Sequence, residues 1–283
     1  MPAALSDFVS KHMVGFLNLA LRRRRYFVEN AVKLEALQAL KESENIDLVI
    51  CTGDYTALGG LGEMRLARQM IEPLTKAPLG FVTLPGNHDV YTLKSAFEHR
   101  FEQFFGEFLH SDLPQYQVPG EHFPLVRLIG EDLAVIAINS AVPHWEAWRS
   151  DGYVSEQQLE CLKKMLSDAT ITPRYVIFAI HYGLFRQDGT PDHRHHGLKN
   201  ADALLAVCRR FTPSMLIHGH LHHRFFLPSS HGGIPIFCAG SATHAGREGL
   251  WIYEITAGKC RAWPGSWTSD GYRLGAPIEV TAA

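Results

Sequence analysis

The sequence predicts a single α/β domain, on three observations. Four apolar runs of strand length, Asp47–Thr52, Phe81–Leu84, Arg174–Ile180 and Pro213–Ile217, each stop abruptly at a short segment of glycine and polar residues. Between the first two lies an amphipathic stretch, so the order strand, helix, strand is that of a parallel βαβ unit. The chain of 283 residues, 46% hydrophobic, is long enough for one sizeable core and shows no internal repeat, low-complexity tract or linker. Residues 1–30 form a basic and apolar N-terminal segment expected to belong to the same domain as residues 31–283.

In chain order, Met13–Leu21 is apolar and runs into Arg22-Arg23-Arg24-Arg25. Four arginines beside an apolar run suit either an anionic membrane surface or the exposed face of a helix. Glu29–Ser43 carries Ala31, Val32, Leu34, Leu37 and Leu40 at helical spacing, and Glu63–Leu74 reads as a second helix. Leu93–Leu109 is helical with a core-facing stripe of Phe97, Phe101, Phe104, Phe105 and Phe108. Pro124–Ile129 and Leu133–Ile138 form a hairpin around Gly130-Glu131-Asp132. Ser155, with Gln158 three residues on, opens a helix by a capping box. Leu198–Arg210 is a further helix, and Pro235–Cys238 and Leu250–Ile255 are further strands.

Composition removes several function classes. The net charge of −2 gives no global attraction for nucleic acid, so no specific nucleic-acid partner is expected. Five widely spaced cysteines, without a CxxC pair, indicate neither a disulfide framework nor a thiolate zinc site. No apolar run approaches the roughly 20 residues that span a bilayer. A cytoplasmic location follows, with peripheral membrane contact through Arg22–Arg25 as an open variant.

The strand ends hold the chemistry. They present Gly53-Asp54, Gly86-Asn87-His88-Asp89, His181, and Gly219-His220-Leu221-His222. In open α/β sheets ligands gather at the carboxyl ends of strands, and carboxylate, amide oxygen and imidazole together suit a divalent transition metal. In an extended segment His220 and His222 would share a side and face one metal cluster. Any one of these residues alone is ordinary turn chemistry; four such ends in one sheet are not. Asp89 either orients His88 or caps the turn, and both readings stand.

In this order and spacing the motifs resemble those of the calcineurin-like metallophosphoesterases, over roughly Leu48 to His222. The resemblance implies a four-layer αββα sandwich of two mixed β-sheets flanked by helices, with two divalent metal ions (manganese, iron, zinc or nickel) at the strand ends. It implies that Asp54 bridges the metals, that Asn87, His181 and His220 complete one site, and that His222 serves the other. His88 would stabilise the transition state or protonate the leaving oxygen. The activity implied is hydrolysis of a small phosphodiester or phosphomonoester by a metal-activated hydroxide. Substrate contacts are expected from Arg194, His196 and Arg247, with Tyr55, Asn139 and His244 also near the cleft. Arginine is the preferred holder of a non-reacting phosphate because of its bidentate fork.

The family opens with an Asp-x-His pair that this sequence does not contain. One explanation is a start placed downstream of the true first strand, preferred because losing a central strand orphans backbone groups. The other is a genuine variant whose second metal site is reduced to Asp54 and His222 and is weak or empty. A rival to the enzyme is a catalytically weak or inactive metal-binding scaffold acting through protein contacts; the retained His88 argues against it.

Overall fold

In the computed structural model, residues 28–146 and 148–281 are described. The expectations placed on Arg22–Arg25 and on residues 1–27 of the N-terminal segment lie outside them. The helices are α1 (Asn30–Ser43), α2 (Leu61–Ile71), α3 (Leu93–Phe97), α4 (Arg100–Phe105), α5 (Glu156–Met165), α6 (Ala201–Cys208) and α7 (Ser229–Gly232). The strands are β1 (Val49–Cys51), β2 (Phe81–Thr83), β3 (Leu125–Ile129), β4 (Leu133–Ile138), β5 (Tyr175–Ile180), β6 (Ser214–His218), β7 (Arg224–Leu227), β8 (Ile236–Ala239), β9 (Leu250–Thr256), β10 (Lys259–Thr268), β11 (Gly271–Leu274) and β12 (Ile278–Val280).

Six strands form a mixed sheet in the order β3-β4-β5-β6-β8-β7, parallel from β4 to β8 and antiparallel at both edges. Its central strands are buried on both faces, which explains why they read as continuous apolar runs. Along β5, Val176, Phe178 and Ile180 enter one core with Leu159 and Leu162 of α5 and Leu204 of α6. The alternate residues Tyr175, Ile177 and Ala179 enter a second core with Phe81 and Val82 of β2, Ala262 of β10, and Met64 and Phe105 beyond them. The layers therefore run helix, sheet, sheet, helix.

The second β-layer comes in two pieces. β1 and β2 form a parallel pair, and β9, β10, β11 and β12 an antiparallel group. The two metal-ligand turns of the first half thus lie on a different sheet from those of the second half, which corrects the expectation of four strand ends in one sheet. Local departures are also physical. The helix expected over Leu93–Leu109 breaks at His99, whose φ of +49° is left-handed, and Phe97 is left 85% exposed instead of joining the core. Ser155 does cap α5 by accepting the Gln158 N–H, but the Gln158 amide turns away to bond the backbone of Asn139, so the reciprocal half of the box is absent. Among the described residues no helix is long and apolar enough to cross a membrane.

Candidate metal centre

Two backbone turns touch before any side chain is considered. Gly53 has φ +92°, and a Cβ built on it would lie 2.3 Å from the Gly86 nitrogen; one built on Gly86 would lie 2.2 Å from Asp54 Oδ1. Only glycine at both positions lets the turns after β1 and β2 approach this closely. Asp89 stitches them together. Fully buried, it accepts hydrogen bonds from the backbone N–H groups of Asp54 (2.8 Å), Tyr55 (2.9 Å), Thr56 (3.1 Å) and Gly86 (2.9 Å). The imidazole of His88 is instead held at Nδ1 by the Ala57 carbonyl, at 2.7 Å. Asp89 is therefore the turn cap of the two readings, and the expectation that it orients His88 is corrected: a carboxylate spent on four N–H donors serves the backbone. Burial and the neighbouring Asp54 charge push its carboxyl up to about 7 against those hydrogen bonds.

The donors meet where the two sheets face each other. His181 Nδ1 lies 2.7 Å from the Thr52 carbonyl, which can only accept, so the ring proton sits on Nδ1 and Nε2 is a bare lone pair. That Nε2 faces Asn87 Oδ1 at 3.0 Å and Asp54 Oδ2 at 3.5 Å. His220 Nδ1 comes to 3.1 Å from the same Asn87 oxygen. Lone pairs aimed at one another in a buried place repel unless a cation lies among them, and amide, carboxylate and imidazole are the donor types such a cation takes. The residues present fit a divalent metal.

Electrostatics agrees with that fit. Burial raises the Asp54 carboxyl, but the His181 and His88 imidazoles and the His88 N–H outweigh it, so its net shift is downward and it stays ionised. Burial holds His220 well below the usual histidine range and pushes His222 down to about 4, with neighbouring imidazoles adding to both. Neutral rings keep their lone pairs. His222 lines the same cleft as Asp54, and its ring centroid lies 5.5 Å from that of His244.

His220 and His222 do not share a side by extended geometry. Both are left-handed, at φ +64° and +53°, because the chain leaves β6 in a coil after His218. Non-glycine residues seldom adopt this conformation, and here it places the His220 ring 4.2 Å from Tyr182.

A cleft of about 590 Å³ opens over these groups, lined among others by His88, Tyr91, Arg149, His196, His244 and Arg247. His196 and Arg247 are thus brought to the site. Arg194 is solvent-exposed and does not line the cleft, which corrects its place as phosphate holder: the His193–Gly197 turn directs His196 inward, and Arg194 faces solvent. Tyr55 also turns away, stacking on Phe105 and bonding Thr83, and Asn139 is taken up by its own backbone turn and Gln158. The carbonyls of Thr52 and Ala57, which orient two imidazoles, have no signature in a sequence; Tyr91 and Arg149 had none that set them apart from surface residues.

Comparison with known proteins follows the same line. A family profile described as calcineurin-like phosphoesterase matches residues 29–224. Comparison with curated proteins finds no match. Among solved structures, a single-site variant of Vps29 from Entamoeba histolytica is 13% identical, with 86% of this chain and 89% of that chain covered and a TM-score of 0.40. The calcineurin-like phosphoesterase YfkN from Bacillus subtilis is 13% identical, with 89% and 81% covered and a TM-score of 0.40.

Proposed function

Given that the chain belongs to the calcineurin-like phosphoesterase family, we propose that it is a metal-dependent phosphoesterase acting on a small phosphomonoester or phosphodiester in the cleft between its two β-layers. The observation that carries this reading is the convergence of His181 Nε2 and His220 Nδ1 on Asn87 Oδ1, with Asp54 Oδ2 3.5 Å from the same His181 Nε2. Asp54, Asn87, His181 and His220 would hold one divalent cation, and His222 with Asp54 a second; manganese, iron, zinc and nickel all suit the donors. A cation bound there acidifies a water and polarises the phosphoryl oxygens.

The chain's own groups do the rest. Asp54 supplies the negative charge that neutral imidazoles cannot. His88, held at Nδ1 by the Ala57 carbonyl, lines the cleft, where its protonated ring would hydrogen-bond a phosphoryl oxygen or pass a proton to the leaving oxygen. Arg247 and His196, both lining the cleft, would contact the remainder of the ester. A freely soluble cytoplasmic protein and one resting on a membrane through Arg22–Arg25 are both compatible with this chemistry.

Hydrolysis of bis-p-nitrophenyl phosphate with added manganese tests the reading. The wild-type protein should turn over, His88→Ala should lose roughly 10²–10⁴-fold in rate while still taking up manganese, and Asn87→Ala should lose manganese and rate together. A wild-type protein that binds manganese and is inert would move the assignment to the metal-binding scaffold.

A further inference from the structure

The loop between β5 and α6 reaches back over His220. His196 donates from Nδ1 to Asp192 Oδ2 at 2.6 Å, and Asp192 Oδ1 accepts the His193 N–H at 2.7 Å, so one carboxylate, only 5% exposed, fixes both ends of a single turn. Gly197 closes that turn because a Cβ there would lie 2.7 Å from Asp192 Cβ. The turn is anchored in turn by the bridge of Gly152 to Leu198 and by the Gly152 N–H bond to the Gly197 carbonyl. What it presents to His220 is the backbone carbonyl of His196, 3.0 Å from Nε2.

A carbonyl can only accept, so Nε2 carries the proton and Nδ1 is left bare, facing Asn87 Oδ1. The rings of His196 and His220 lie 4.2 Å apart, centroid to centroid, and Tyr182 covers His220 at the same distance. With His220 itself in a left-handed conformation, its own backbone does little to choose a tautomer or a ring orientation; the loop supplies both.

We propose that Asp192 is a positioning residue of the metal centre: through the His193–Gly197 turn it holds the His196 carbonyl against His220 Nε2, making Nδ1 the metal-binding atom. This rests on the reading that His220 faces a cation beside Asn87, and it adds Asp192, which does not line the cleft. Partners of this kind commonly change metal affinity by 10–100-fold.

The same groups admit a rival arrangement. The ligand atoms of Asp192, His196 and His220 lie within 4.8 Å of one another and could themselves surround a cation, which would require a bare Nε2. The two arrangements demand opposite tautomers of His220.

Cobalt(II) titration of the full-length protein, followed by visible absorption and calorimetry, tests the proposal. Asp192→Ala should weaken cobalt binding 10–100-fold and alter the absorption band, while Asp192→Asn, which keeps an acceptor for His196, should restore most of both. Equal cobalt affinity and spectrum in wild type and Asp192→Ala overturns the proposal. If wild-type protein takes up no cobalt that Asn87→Ala abolishes, the metal-centre reading itself falls and takes the proposal with it. Should Asp192→Ala fail to fold, as judged by far-UV circular dichroism, histidine-ring ¹⁵N spectra of the zinc-loaded wild type decide. A His220 proton on Nε2 supports the proposal; a proton on Nδ1, or zinc anomalous scattering among Asp192, His196 and His220, overturns it.

Discussion

Gly86 and Asp89 do their work on the backbone, and that fixes what their substitution should do. A methyl group at Gly86 would lie 2.2 Å from Asp54 Oδ1, well inside van der Waals contact distance, so Gly86→Ala should push the Asp54 carboxylate off its position and abolish manganese uptake, measured by calorimetry. Asp89→Ala leaves several buried N–H donors without an acceptor, each worth about 1–3 kcal/mol, so a loss of roughly 3–5 kcal/mol in urea unfolding is expected. An Asp89→Ala protein of wild-type stability but reduced turnover would show that the carboxylate acts on His88 after all. The arginine expectations divide at this scale too. Arg247 and Arg194 are alike in a sequence and both exposed, and only the course of their loops puts one along the cleft and leaves the other outside it.

At the scale of elements, part of the cleft lining is the β4–α5 loop, which contributes Val142, His144, Arg149 and Ser150, and a buried ion cluster holds it. Asp151, 2% exposed, accepts from Arg149 Nε at 2.9 Å and from Lys199 Nζ at 2.8 Å, joining the β4–α5 loop to the start of α6. The same loop carries Trp145 and Trp148, both about three-quarters exposed beside the cleft. Burial raises the Asp151 carboxyl, yet the hydrogen bonds from Arg149 and Lys199 outweigh it and bring it down to about 2. An unfolded aspartate titrates near about 3.9. The folded pKa is the lower of the two, so the cluster's stabilisation is complete above pH about 4 and disappears as the pH falls towards 2. Wild type should therefore exceed Asp151→Asn in urea midpoint at pH 6, and the gap should close between pH 4 and 2. A gap constant across that range would mean that the carboxylate's charge is irrelevant to the loop.

For the whole molecule, the candidate ligands of the proposed centre come from two β-layers: Asp54 and Asn87 follow the strands of the β1–β2 pair, and His181, His220 and His222 follow strands of the six-stranded sheet. A cation among them would be a cross-link between layers that the unfolded chain cannot reproduce. At a concentration 100 times its dissociation constant it adds about 2.7 kcal/mol, so manganese should raise the melting temperature of wild type, a chelator should reverse the rise, and Asn87→Ala should not respond. A wild-type melting temperature indifferent to manganese would remove the centre from the account. The outer helix layer is tied in as well. Lys33 of α1, fully buried, donates to Glu248 Oε1 at 2.7 Å and to the Thr243 carbonyl at 3.3 Å, which docks α1 on the loop that brings His244 and Arg247 to the cleft.

The sequence by itself determined the α/β class, the central strands and the identity of the metal-type donors, because strands buried on both faces must be apolar and an abrupt polar end is visible within a few residues. Local patterning did not reach the antiparallel strands β10 to β12, where polar residues and glycines interrupt the run, or the break at His99. Only the tertiary structure decided that the turns bearing the candidate ligands sit on two different sheets, that Asp89 spends its charge on backbone N–H groups, and that Arg247 lines the cleft while Arg194 does not. Those outcomes turn on backbone carbonyls, left-handed residues and contacts between segments more than a hundred positions apart, and none of these is encoded in the identity of a single side chain or its near neighbours.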